Sequence, residues 1–196
     1  FPGQASITPD GKLLIADSNN NRILVWNSFP TSSGQPASYS LDIDAITGVK
    51  GTWPWGVWSD GTKVIVSQTV GGRVLLWNSF PTSGSTSPDV IINSSQVGTP
   101  RSVTSNGEYI MIGDENGNGE CIGGGRTRST HIWTSWPTSS RDPDICIDTW
   151  IASAIVDNKI YGIPAGGESL MFFDSLPTTI QKYDDPSNSM ILALPG

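Results

Sequence analysis

The stretch RVLLWNSFPTSG at residues 73–84 has a near-twin, RILVWNSFPTSSG at residues 22–34. Two weaker copies follow, WTSWPTS from Trp133 and FDSLPTT from Phe173. Counted from their aromatic residues, Trp26, Trp77, Trp133 and Phe173, the spacings are 51, 56 and 40. A second marker precedes each copy: PDGK at Pro9, SDGTK at Ser59, SNGE at Ser105 and VDNK at Val156. Its acidic or amide residues, at 10, 60, 106 and 157, are 50, 46 and 51 apart. Two independent markers with one shared period define a repeat of about fifty residues.

Each repeat resolves into four short apolar runs. The first precedes the Asp-Gly type turn: QASIT, PWGVW, PRSVT, IASAI. The second follows it: KLLIA, KVIVS, YIMIG, KIYGI. The third ends on the aromatic: RILVW, RVLLW, THIW, LMFF. The fourth is shorter: YSLDI, DVIIN, DICID, SMILAL. Asp-Gly or Asn-Gly between β-rich runs is a hairpin signal, and a two-residue turn there needs positive φ at both positions. Four antiparallel strands per repeat predict an all-β chain, a β-propeller with four four-stranded blades over about 1–48, 49–97, 98–149 and 150–196. Three arrangements stay open: part of a larger ring, half of a ring completed by a second copy, or a small four-bladed ring.

A blade cannot cover both of its faces alone, so it must stack on neighbours. The aromatic closing each third strand supplies a large apolar face once per blade. Phe29, Phe80, Trp136 and Leu176 are expected to plug the turn beyond it. Asn27, Asn78 and Asp174 are expected to bond their own backbone there, with Thr134 a weaker substitute. Pro30, Pro81, Pro137 and Pro177 then start an excursion to the outer strand, where no ladder donor is needed. The motif reads as architecture.

At IADSNNNRILVW, residues 15–26, the chain resembles the NHL-repeat propeller family, secreted bacterial or archaeal type. Blades of that family run strand, Asp, an Asn-rich turn, then Arg-Ile and an aromatic. Blade two keeps RVLLW and has Gln68 in place of the acid; blade three keeps Asp114; blade four lacks both Asp and Arg. The resemblance implies a central channel lined by first strands, with variable loops gathered on one face. It also implies two kinds of enzyme relative: amidating lyases with histidine-bound zinc, and gluconolactonase-type propellers with a channel metal held by carboxylates and amides.

Composition narrows the function classes. The 196 residues include 22 Gly and 14 Pro, with 36 % hydrophobic and 15 % charged residues, a turn-rich mixture that still carries a core. A net charge of −7 with only eleven Lys and Arg argues against a nucleic-acid partner, whose phosphates demand basic contacts. No apolar run reaches the roughly 18 residues needed to span a bilayer, so no membrane insertion is expected. The chain starts at Phe1 without a leader, which reads as a removed signal segment or a fragment. Cys121 and Cys146 either form one bridge or stay as separate buried thiols. Abundant Ser, Thr and Asn, low lysine and a glycosylation triplet at Asn93 lean towards an extracellular or cell-surface location.

Catalytic groups are scarce. The single histidine, His131, lies in THIW on a third strand, and one imidazole cannot build a three-ligand zinc centre. The four channel runs contain no Asp, Glu or His. Proton transfer therefore lacks an acid, a base and a metal in the channel. One insertion, GDENGNGECIGGGRTRST at 113–130, starts like a calcium loop, with Asp114, Asn116 and Asn118 at alternating positions and Gly119 at the bend. Position twelve, where a bidentate Glu belongs, is Gly125. It reads either as a weak calcium site or as a Gly-rich loop, with no other cofactor implied. Trp53, Trp55, Arg101 and Trp150 lie in the segments leading into blades two to four. There they either stack on sugars or peptides or pack between blades.

The expected function is an extracellular, non-catalytic binding or scaffold protein that contacts a protein or carbohydrate partner through one propeller face. Two alternatives stand beside it: self-assembly as a subunit of a surface layer or filament, and a metal-dependent lactonase or lyase whose catalytic residues lie outside these residues.

Overall fold

The computed structural model describes residues 1–118, 127–164, 169–179 and 190–193. Within them the strands fall into four groups of four. The first holds β1 (Ala5–Ile7), β2 (Leu13–Asp17), β3 (Arg22–Trp26) and β4 (Tyr39–Asp42). The second holds β5 (Pro54–Ser59), β6 (Val64–Gln68), β7 (Arg73–Trp77) and β8 (Val90–Ile92). The third holds β9 (Pro100–Ser105), β10 (Ile110–Gly117), β11 (Thr127–Trp133) and β12 (Ile145–Ile147). The fourth holds β13 (Ile151–Val156), β14 (Lys159–Pro164), β15 (Ser169–Phe173) and β16 (Met190–Ala193). Each group is one antiparallel sheet with its strands in sequence order. The sheets form a β-propeller arc of four blades. Helix is limited, among the described residues, to α1 (Ile43–Thr47) and a 3-10 turn at Ser18–Asn20.

The alternation of apolar residues decides how the sheets stack. On β2 and β3, Leu14, Ala16, Ile23 and Val25 are fully buried and meet Val57, Val64, Val66, Leu75 and Trp77 of the second sheet. Ile65, Val74, Leu76 and Ile92, on the other face of that sheet, meet Val103, Ile110, Ile112 and Trp133 of the third. Met111 and Ile132 repeat the contact with Ile151, Ile160 and Phe173 of the fourth. All five residues of β6 are buried because both faces of its sheet are covered. Among the described residues, the first and fourth sheets each have one face on which no other sheet packs. Ile7 is 60 % exposed on the first sheet, and Val156, Tyr161 and Ile163 are exposed on the fourth.

This stacking explains the repeated aromatic. Trp77, Trp133 and Phe173 each fill the interface with the preceding sheet, at 1 %, 0 % and 4 % exposure. Trp26 has no preceding sheet in the described residues and is only half-buried. The same logic separates exposed Phe29 from Phe80, Trp136 and Leu176, which pack on the clusters. Each indole N–H of the three tryptophans donates to a carbonyl of its own excursion: Trp26 to Gln35, Trp77 to Thr86 and Trp133 to Arg141. The excursion also clamps blades together, since Tyr39 donates to the Pro81 carbonyl and Tyr109 to that of Pro177.

Two local expectations are corrected. The Asn and Asp after the aromatic do not turn back on their own backbone. The Asn78 N–H donates to Asp89 and the Thr134 N–H to Asp144, while the Asn78 amide oxygen accepts the Trp136 indole N–H at 2.7 Å. The next blade has taken the side chain. The Asp-Gly turns also differ from two-residue turns with positive φ at both positions. Gly11, Gly61 and Gly107 have φ of 84°, 95° and 94°, but only Asp157 and Asn158 are both positive. In the second and third sheets the polar side chain caps a longer turn: Asp60 accepts from Thr62 and Lys63, and Asn106 from Glu108 and Tyr109.

Candidate functional site

The segments that join the sheets converge beside the inner strands β5, β9 and β13. Trp53 precedes β5 in a left-handed conformation, φ 49°, which a bulky residue adopts only when its surroundings hold it there. The Asn-rich turn of the first blade supplies that hold. Asn21 Oδ1 accepts the Trp53 backbone N–H at 3.0 Å, and Asn19 Oδ1 accepts its indole N–H at 3.2 Å. Trp55 follows on β5, its carbonyl accepting the Gln4 N–H at 2.8 Å, with the Phe1 ring 5.3 Å away. The two indoles meet edge to face at 5.6 Å. Trp150, just before β13, donates its indole N–H to Ser102 Oγ at 2.9 Å. It lies over Gly113, where a Cβ would come within 2.1 Å of its ring.

Arg101 on β9 sits among these rings. Its guanidinium carbon is 4.8 Å from the Trp55 ring, 5.8 Å from Trp53 and 6.0 Å from Trp150. Its backbone is fixed through Ser67, which accepts the Gly56 N–H at 2.7 Å and donates to the Arg101 carbonyl at 2.5 Å. Gly56 lies so near that an added Cβ would be 2.1 Å from that carbonyl oxygen, so glycine is required for the close approach. Glu115 Oε2 is 3.9 Å from Arg101 Nε, while Glu115 Oε1 accepts two hydrogen bonds from Arg128, at 3.0 and 3.1 Å. All four residues singled out in the sequence, Trp53, Trp55, Arg101 and Trp150, are thus brought into one cluster. Sequence reasoning missed Gln4, Ser67 and Ser102, and takes Glu115 only as a further acid of the insertion, not as a partner of Arg128 and Arg101. A polar Ser67 inside the apolar run KVIVS was the available signal.

Beside the cluster opens a cleft of about 710 Å³. Phe1, Trp55, Trp150 and Tyr161 supply its aromatic walls, and Ser102, Ala152 and Ser153 belong to its lining. No Asp, Glu or His lines it among the described residues. Its volume lies within the range of small-molecule sites, about 300–1,000 Å³. The cleft itself offers ring faces and hydroxyls; Arg101 is not among its lining residues, and its guanidinium lies 4.8 Å from the Trp55 ring that forms one wall.

The remaining sequence candidates lie elsewhere. Asp114 is fully buried on β10, which runs further into the insertion than expected, as far as Gly117. Its carboxylate accepts the N–H groups of Gly98, Thr99 and Asn116 at 2.7, 2.8 and 3.0 Å. Burial pushes this carboxyl up, but His131 and the Gly98 and Thr99 donors outweigh it and hold Asp114 below the ordinary carboxylate range. Asn116 bonds Thr99 Oγ1, and the Asn118 backbone N–H bonds the Gln96 carbonyl. The rest of that loop, with Gly119, Cys121 and Gly125, lies outside the described residues. Cys146 is buried on β12 opposite His131, and Asn93 is exposed just beyond β8.

His131, Asp114 and Ser129 are neighbours and all fully buried. Both Asp114 Oδ2, at 3.4 Å, and Ser129 Oγ, at 3.3 Å, face the same ring nitrogen, Nε2. A serine–histidine–aspartate relay needs its two partners on different nitrogens. This trio braces the third sheet.

No family model matches the chain, and no curated protein matches it in sequence. Solved structures do. A streptogramin B lyase structure superposes with a TM-score of 0.59 at 12 % identity, over 99 % of this chain and 55 % of that one. A hydrazine synthase of Kuenenia stuttgartiensis gives 0.56 at 12 % identity, over 88 % and 46 %. The WD40 domain of Neurospora crassa Pan2 gives 0.51 at 11 % identity, over 98 % and 52 %. At such identities the likeness is one of fold, and the fold is that of a β-propeller. The chain spans about half the length of these structures.

Proposed function

We propose that this propeller is a non-catalytic binding or scaffold module of the NHL type, acting outside the cell or at its surface. Its contact surface is the cluster of Trp53, Trp55, Arg101 and Trp150, with the adjoining cleft, and its partner is a protein or a glycan. The observation that carries this reading is the guanidinium framed by three indoles at 4.8–6.0 Å, next to a cleft lined by rings and hydroxyls. Propeller folds bind through variable loops on one face, and aromatic residues with arginine dominate the energetics of contact surfaces. Glycan-array screening and calorimetry on the wild type, Trp55→Ala and the double variant Trp53→Ala/Trp150→Ala test it. The variants should lose the ligand that the wild type retains. Undiminished binding in all of them would remove this surface from consideration.

A second reading is supported by the ends of the arc. Ile7 on one side, and Val156, Tyr161 and Ile163 on the other, expose the kind of sheet face that is covered at every internal interface. Stacking of further sheets on these faces, from other copies, makes the chain an assembly subunit. Light scattering on this chain distinguishes the two, since a concentration-independent monomer excludes assembly through these faces.

A further inference from the structure

The reading above leaves the ligand's chemistry open, and Arg101 narrows it. A guanidinium carries five N–H donors in a planar fork. Among the described residues, that of Arg101 makes no hydrogen bond, and its Nε is buried without a partner. Glu115 is the acid paired with it among the described residues, but at 3.9 Å it is beyond hydrogen-bond reach and is already bound by Arg128. Among the described residues, two guanidinium groups, those of Arg101 and Arg128, face the one carboxylate of Glu115, on a chain of net charge −7. Indole faces hold the fork in place without using its donors.

We infer that this site takes a sugar acid, a uronic-acid unit stacked on Trp55 with its carboxylate on the Arg101 guanidinium. The inference rests on the binding role proposed above and specifies its ligand. A carboxylate matches the fork in a bidentate pair, the strong form of this hydrogen bond. The ring supplies an apolar face for Trp55, while its hydroxyls find Ser102 and Ser153 along the cleft. Walls made of ring faces fit a ring-shaped ligand better than an extended peptide, whose recognition relies on main-chain ladders.

The test is calorimetry with trigalacturonate, its methyl ester and a neutral trisaccharide, on the wild type and on Arg101→Gln, Arg101→Lys and Trp55→Ala. Thermal unfolding of each variant verifies that it is folded. Trigalacturonate should bind the wild type at least about tenfold more tightly than its ester, a difference of one charged pair. Arg101→Gln should abolish that difference and Arg101→Lys restore part of it, while Trp55→Ala should weaken acid and ester alike. Equal affinity for acid and ester, or a difference that survives Arg101→Gln, overturns the inference. If acid and ester bind equally and Trp55→Ala weakens both, the aromatic contact surface still stands. If none of the three sugars binds the folded wild type, the sugar-acid assignment is wrong, and the array comparison of the tryptophan variants decides the binding role separately.

Discussion

The side-chain amide of Gln4 pairs with both backbone groups of Val103. Its Nε2 donates to the Val103 carbonyl at 2.8 Å, and its Oε1 accepts the Val103 N–H at 3.0 Å. The two residues are 99 positions apart, one leading into the first sheet and the other in the inner strand of the third. The amide thus does what a neighbouring strand would do for an inner edge, and it ties the first blade to the third beside the aromatic cluster.

Replacing Gln4 by Ala leaves an N–H and a carbonyl of nearly buried Val103 without partners. Such a loss costs about 1–3 kcal/mol. The urea midpoint should fall accordingly with little change in slope. A midpoint equal to wild type would mean that the bridge contributes nothing in solution.

The two copies of the aromatic should behave differently. Trp77→Ala empties an interior position and should cost about 3–5 kcal/mol. Trp26→Ala removes a half-buried ring on an uncovered face and should cost well under that. Denaturant titrations of the two variants compare them directly. Equal losses would show that the face bearing Trp26 is covered in solution.

Stability should fall in acid through Asp114. Its folded carboxyl titrates below its unfolded value of 3.8, so its contribution is complete above that pH and is lost as pH falls through the folded value. Urea midpoints measured from pH 7 down to pH 3 should decline at the acid end. Asp114→Asn should be less stable at neutral pH and show a flatter acid limb. An unchanged acid limb in this variant would shift the effect to other carboxylates.

Calcium should not stabilise the protein through Asp114. Three backbone donors and His131 already surround that carboxylate, and a cation would have to displace them. A ligand that binds only the folded state raises the unfolding temperature, by an amount that grows with the logarithm of its concentration above the dissociation constant. Scans in chelator and in millimolar calcium should coincide; a rise with calcium would establish a cation site on the insertion.

Much of the fold was legible because each blade repeats the same local rule. Short continuous apolar runs such as KVIVS and RVLLW, broken by Asp-Gly and by the proline excursion, locate strands in all four sheets. The details of turns were less legible. Asn78 looks like a turn-former, yet the stacked blade brings Trp136 to its amide, and that long-range bond outcompetes the local one. Asp114 looks like the first ligand of a loop, yet it lies on an extended strand and binds the segment leading into its own blade.

The sequence by itself determined that the chain makes small sheets with one aromatic per repeat, because hydrophobic period and turn chemistry are local properties. It also determined which residues were candidates for contact, by residue type and by position ahead of each blade. Only the tertiary structure decided that Arg101 would meet Trp53, Trp55 and Trp150. Those four come from three different blades, and their meeting depends on how far each sheet rotates and how closely Gly56 lets β9 approach β5. Distances of that kind arise from packing between sheets, which no single repeat encodes.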